Sequence, residues 1–193
     1  MGEVTGSVGI FGGAFDPPHD GHLALAREAV DHFELSRLLV RVVADPGHKE
    51  VETLPEIRLA LAELAFAALA EAEVSLDPFA RTVDSLEALS LADPVFLIGA
   101  DELAAFSTWT RPDRVLELAR IGAATRPGSD LADLDRVVRS LALPGRVELF
   151  AITPLAISSS EVRERVAAGL PIDALVPAAV AAEIGRLGLY RAR

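Results

Sequence analysis

Two histidines three residues apart, His19 and His22, stand in the stretch GIFGGAFDPPHDGHLALA, Gly9 to Ala26. A run suited to a buried strand breaks there at Gly12-Gly13 and gives way to an apolar helix. Across one helical turn, two such imidazoles can face the same point. Pro17 and Pro18 stiffen the loop, and Asp20 is placed to cap a helix beginning near Gly21. The unpaired N–H groups of that first turn attract anions. A phosphate here would meet two imidazoles and a helix N-terminus. The same histidines could instead ligate a metal, for which no third ligand stands nearby, or cap and pack a turn. The Gly-Gly pair admits close approach of a ligand. It is neither the GxGxxG dinucleotide fingerprint nor a P-loop, which needs GK[ST].

Three later stretches add groups with chemistry. In ISSSEVRERVAAG (Ile157–Gly169), Ser158, Ser159 and Ser160 can cap a helix and offer hydroxyls to an anion, and Arg163 adds a planar charge. A plain capping box from Ser158 to Glu161 explains the same spacing. In FLIGADELAAFSTWTRP (Phe96–Pro112), Gly99 and Asp101 fall at a strand end, where a carboxylate can accept ribose hydroxyls or orient a helix. Trp109, the sole tryptophan, reads from the residues alone as a core or surface-anchoring aromatic. In ATRPG (Ala124–Gly128), Arg126 either faces a nucleotide or solvates a turn. Lys49, the single lysine, is a phosphate contact or an exposed solvated side chain.

These groups need a scaffold to bring them together. Six apolar runs suit buried strands: Ser7–Gly12, Leu38–Val43, Val74–Leu76, Val95–Ala100, Ile121–Thr125 and Val147–Ile152. Between them, Leu23, Ala26, Val30 and Phe33, and then Leu61, Leu64, Ala65 and Ala68, recur at helical spacing. Strand–helix alternation predicts an α/β fold: a Rossmann-like, doubly wound parallel sheet with helices on both faces. The last forty or so residues read as a helical C-terminal part interrupted by Pro154, Pro171 and Pro177. One domain over residues 1–193 is expected. Ligands of such sheets bind beyond the carboxyl ends of the strands, where every motif above falls.

Composition narrows the function. The 193 residues carry a formal net charge of −11 and no cysteine. Disulfide scaffolds, thiolate zinc sites and cysteine nucleophiles are excluded. No basic face suits nucleic acid, and no run crosses a bilayer. The N-terminal residues lack a basic region, so no secretory signal is expected and the cytoplasm is the expected compartment. An anion would need a locally positive pocket of helix N-termini and a few cations.

GGAFDPPHDGH resembles the signature of the nucleotidyltransferase superfamily, His-x-Gly-His after the first strand. With Gly-Gly-x-Phe-Asp-Pro before it, it is similar to the nicotinate mononucleotide adenylyltransferase family, bacterial enzymes of NAD synthesis. GAD with Thr108-Trp109, Arg126-Pro127 and Ile157-Ser158-Ser159 extend the resemblance, and the tail LPIDALVPAAVAAEIGRLGLYR continues it. The resemblance implies adenylyl transfer from ATP to the 5′-phosphate of nicotinate mononucleotide, giving deamido-NAD and pyrophosphate. It implies His19 and His22 as catalytic residues. Gly12, Gly13, Phe15, His19 and His22 would bind ATP, with Gly99, Asp101, Ser158, Ser159, Ser160 and Arg163. Lys49, Thr82, Trp109 (against the pyridine ring) and Arg126 would bind the acceptor. Magnesium would accompany ATP without a protein cage. The partners are ATP and a pyridine mononucleotide, with no nucleic acid or membrane; homo-oligomerisation is left open.

The chain departs from that pattern in three places. Ala14 replaces a usual threonine or serine. DPGHKE (Asp45–Glu50) replaces Pro-Pro-His-Lys while keeping His48 and Lys49. The segment Val74–Leu89 is shortened, keeping Thr82 but placing Arg81 where the family has tyrosine. The last change motivates two alternatives: a nucleotidyltransferase for another phosphorylated acceptor, or a non-catalytic ATP-binding paralogue.

Overall fold

Each of the six apolar runs forms a strand, because a strand covered on both faces is stable only when nearly all its side chains are apolar. The computed structural model describes residues 6–47, 51, 53–153, 155 and 157–192. The first half runs β1 (Ser7–Gly13), α1 (Asp20–His32), β2 (Leu35–Val43), α2 (Pro55–Phe66) and β3 (Ala72–Asp77). Then come α3 (Thr82–Leu89), β4 (Val95–Gly99), α4 (Ala100–Ala104), α5 (Pro112–Leu118), β5 (Arg120–Thr125), α6 (Leu131–Ser140) and β6 (Val147–Ala151). The C-terminal part adds α7 (Ser159–Ala167) and α8 (Ala178–Leu187), with Pro177 at the N-cap of the latter.

All strand pairs are parallel, in the order β3-β2-β1-β4-β5-β6. The chain winds outward from β1 to β3, returns through α3, and winds outward again from β4 to β6. Strand order therefore reverses between β1 and β4, leaving a crevice beyond their carboxyl ends. One face of the sheet packs Leu23, Ala26 and Ala29 of α1, Leu61 and Ala65 of α2, Val162 of α7 and Val180 of α8. The other packs Val83 of α3, Leu103 of α4, Val115 and Leu116 of α5 and Leu134 of α6. Among the described residues no helix is long and apolar enough to cross a membrane.

Four local expectations need correction. Asp20 does not cap α1; it is the first helical residue, and His19 in extended conformation is the N-cap. The Gly-Gly pair does not lie after the first strand. Gly12 and Gly13 are its last two residues, paired with Arg41 and Val42 of β2, so the chain breaks at Ala14. The fourth strand stops at Gly99, because Ala100 already turns into α4. In α2 the periodic face holds for Leu61 and Ala65, whereas Leu64 is exposed and Ala68 lies past the helix end.

Leu97 of β4 is 1% exposed beneath the crevice. Leu97→Ala is expected to cost about 2–5 kcal/mol, which for a chain of this size lowers the melting temperature by roughly 5–20 °C in a thermal scan.

Candidate active site

The loop from β1 to α1 is shaped from its aromatic floor upward. Phe15 adopts a left-handed conformation, φ +50°, rare for a bulky residue. Its ring is buried and holds the strained backbone in place by edge-on packing against Phe11 (centroids 5.4 Å) and Phe66 (5.8 Å). The space for that ring exists because residue 13 is glycine; a Cβ there would stand 2.9 Å from Phe15 Cζ. His22 rests on the same ring at 5.0 Å, and His19 stacks on His22 with centroids 3.7 Å apart and planes 28° from parallel. Gly21 allows the stack, since a Cβ at that position would lie 3.0 Å from His19 Nδ1.

Protonation follows from this packing. The His19 backbone N–H donates to His22 Nδ1 at 3.2 Å, which puts the proton of a neutral His22 on Nε2. His19 is 7% exposed, and its Nδ1 is buried without a hydrogen-bond partner among the described residues. Burial pushes its pKa down to about 4, so the imidazole is neutral at pH 7. An orphaned polar nitrogen in a well-packed site is costly unless a ligand completes it. It lies on the residue capping α1, where the helix also favours a negative charge.

A second helix N-terminus meets the first. Ser158 caps α7, its Oγ accepting from the Glu161 N–H at 3.1 Å, so the capping-box spacing is realised. Ser159 Oγ donates to Pro17 O at 2.8 Å, and Arg163 Nη1 donates to Asp16 O at 2.7 Å while Nη2 reaches Ser160 Oγ at 3.3 Å. Ser159 and Arg163 thus brace the histidine loop as well as lying beside it. The Ile157 carbonyl oxygen is 3.7 Å from the Cβ position of Gly21, which brings the starts of α1 and α7 together.

Beyond β4, the Gly99 N–H donates to Glu102 Oε2 at 2.6 Å. Asp101 projects into solvent, its side chain 95% exposed, with Arg126 Nη2 3.7 Å away at the end of β5. Trp109 is half-buried, tilted against Phe106 (5.1 Å) and edge-on to Phe96 (6.2 Å). Thr82 opens α3, with exposed Arg81 as N-cap. Lys49 and its neighbour His48 lie outside the described residues. The donors around the histidine stack are imidazoles, hydroxyls and an arginine, a set that suits phosphate oxygens and not a hard cation.

Several residues escaped the sequence reading. Arg58 of α2, 0% exposed, donates from Nη1 to Ala14 O (2.6 Å) and Val43 O (2.9 Å), from Nη2 to Ala44 O (2.8 Å) and from Nε to Thr53 O (3.0 Å). Ala14, which carries no hydroxyl, is thereby held through its backbone. A signal existed: Arg58 is in phase with Leu61 and Ala65 on the apolar face of its helix. Asp77, also buried, accepts from Ser85 Oγ and from the Phe79 N–H (3.0 Å), with Arg41 Nη2 at 3.6 Å. It fixes the short connection from β3 to α3.

A family model for cytidylyltransferase-like proteins matches residues 10–165, which reach from the first strand into α7. The fold and the paired helix N-termini therefore belong to a nucleotidyltransferase. Relatives narrow the class. A Thermomicrobium roseum protein named probable nicotinate-nucleotide adenylyltransferase is 40% identical over 196 residues, covering 95% of this chain and 91% of its own. A Chromobacterium violaceum protein of the same name is 35% identical over 212 residues, covering 97% and 100%. The chain belongs to the nicotinate-nucleotide adenylyltransferase family. Among solved structures, Plasmodium falciparum nicotinic acid mononucleotide adenylyltransferase complexed with NaAD superposes with a TM-score of 0.79 at 16% identity, over 96% of this chain and 97% of that one. At that identity the likeness concerns the fold.

The lowered His19 pKa has a definite sign for stability. The unfolded chain, titrating near 6.5, binds a proton that the folded chain refuses until about pH 4. Stability from this group is complete above pH 6.5 and is lost as pH falls toward 4, by roughly 3 kcal/mol. Denaturant melts between pH 7 and 4.5 should show that slope and a shallower one in His19→Gln. NMR titration should show His19 predominantly neutral down to about pH 5 in ligand-free protein.

Proposed function

We propose that this chain transfers the adenylyl group of ATP to the 5′-phosphate of nicotinate mononucleotide, in the cytoplasm, for NAD synthesis. The observation that carries the reading is the stacked His19–His22 pair at the N-terminus of α1, with the buried Nδ1 of His19 lacking a partner among the described residues. The names of the relatives above support the acceptor. An oxygen of the acceptor phosphate attacks the α-phosphorus of ATP in line. The bond from that phosphorus to the bridging oxygen breaks, and pyrophosphate leaves with the electron pair. The attacking phosphate is already ionised at pH 7, so no protein nucleophile or base is required.

The protein's part is positioning and charge stabilisation. His22, with its ring proton on Nε2, faces the α-phosphate. His19 gains a partner for Nδ1 when the triphosphate arrives, and the added negative charge raises its pKa against burial. Ser158 and Ser160 at the start of α7 meet the outer phosphates, while Ser159 and Arg163 hold the loop that presents the histidines. Gly12, Gly13 and Phe15 shape the floor, and Gly99 and Asp101 lie on the ribose side. Trp109, Thr82, Arg126 and Lys49 serve the acceptor. Magnesium would be held by the substrate's phosphates and water, not by a protein cage, and would supply charge neutralisation for the leaving pyrophosphate.

Arg81, exposed at the start of α3 after the shortened connection, favours a second reading in which another phosphorylated acceptor is used. Pyrophosphate release with ATP or CTP against nicotinate mononucleotide, nicotinamide mononucleotide, phosphopantetheine, a sugar phosphate and no acceptor separates the two. Release only with ATP and nicotinate mononucleotide is expected. ATP binding with no release on any acceptor would leave a non-catalytic nucleotide binder. In the active protein, His22→Ala should lose about a hundred- to a thousand-fold in turnover with folding retained; near-normal turnover would sink the assignment.

A further inference from the structure

Tyr190, beyond the end of α8, is held in a conformation that its backbone does not favour. Its φ of +59° lies in the left-handed region without being glycine. Such residues persist where the surroundings over-determine them, and they cluster at functional sites. Here the constraint is at the hydroxyl. It donates to Asp16 Oδ1 at 2.6 Å, 174 residues away in sequence, and accepts from Thr53 Oγ at 3.1 Å. Asp16 is 3% exposed and stands between Phe15 and Pro17 in the loop that presents the histidines. Its own backbone oxygen receives Arg163 of α7. The carbonyl of Thr53, whose hydroxyl meets Tyr190, accepts from Arg58, which also holds Ala14 O. One closed polar circuit therefore runs from Tyr190 to Asp16 along the histidine loop to Ala14, and back through Arg58 and Thr53.

We propose that Tyr190 is a positioning residue of the adenylyl-transfer site, its hydroxyl locking Asp16 and thereby the height at which His19 and His22 meet the phosphates. The inference rests on the proposed function for its chemistry and on the geometry of the circuit for its argument. The phenol reaches the reacting phosphates only through the loop. A carboxylate as buried as Asp16 that loses this donor seeks other hydrogen bonds, and the segment Phe15–His22 shifts with it. Small displacements of groups that stabilise a transferring phosphoryl are costly in rate.

The test uses the whole chain. Tyr190→Phe keeps the ring and its packing and removes only the hydroxyl. Titration calorimetry with ATP and Mg2+, run well below the melting temperature, should show affinity weakened about tenfold, and kcat/KM should fall by about ten- to a hundred-fold. Arg146→Ala is the control for a merely structural loss. It removes bonds to Leu116 O and Asp93 near the opposite, amino end of the sheet and should leave ATP affinity unchanged. Asp16→Ala combined with Tyr190→Phe should be no worse than Asp16→Ala alone, because both break the same contact. Tyr190→Phe protein that binds ATP and turns over like the wild type overturns the proposal, as does a loss that Arg146→Ala reproduces. Wild-type protein that binds ATP but releases no pyrophosphate defeats the proposed function alone, and the latch is then decided by ATP affinity.

Discussion

Arg58 lies wholly out of solvent, and the four hydrogen bonds resolved for its guanidinium go to backbone carbonyls: Ala14, Val43, Ala44 and Thr53. Burial pulls its pKa down, and the charge of Asp16 opposes that pull. A planar donor fork suits this task better than a point charge, because it satisfies carbonyls of two adjacent loops at once. Both loops leave the carboxyl ends of neighbouring strands, where regular pairing stops and backbone groups would otherwise lack partners. The floor aromatics, the histidine stack and the contact with α7 all build on a loop whose first carbonyl this side chain holds.

The site also resolves a conflict of charge. A chain of net charge −11 must attract a triphosphate. Many of its arginines are paired with carboxylates at the surface, as in the group Arg111, Arg114, Asp84, Glu87 and Glu117 joining α3 to α5. Exposed pairs of that kind add little stability, but they remove cations from the long-range field. What remains at the crevice is the converging starts of α1 and α7, with a His19 imidazole that burial keeps uncharged until an anion arrives. The attraction is local and made largely of oriented N–H groups, a form of preorganised field that needs little excess of positive residues.

Much of the scaffold could be read from residue types. Six apolar runs became six strands, and their alternation with helical faces predicted the parallel, doubly wound sheet. His19, His22, Ser158 and Arg163 could be grouped because each comes soon after a strand, and the switch point gathers the segments that leave strand ends. Other features were hidden because the pattern that reveals them is tertiary. Arg58 sits in an apolar helical phase, so it looks like an error in the pattern until its carbonyl partners are seen. Tyr190 and Asp16 are joined by a bond that no local spacing encodes. Aspartate is the better capping type, which points a reading of the sequence to Asp20; the structure keeps His19 extended instead, with its ring stacked on His22.

The circuit through Tyr190 also bears on the order of assembly. The loop carrying the histidines is synthesised before its brace at Asp16, which comes from a residue 174 positions later. Arg58 can engage Ala14 early, but Arg163 and Tyr190 reach the ribosome exit only after all six strands have emerged. Closing a contact over so long a separation is entropically late. A nascent chain that has not yet reached Tyr190 holds its sheet with the phosphate loop unfastened, so that nucleotide recognition matures after the sheet does.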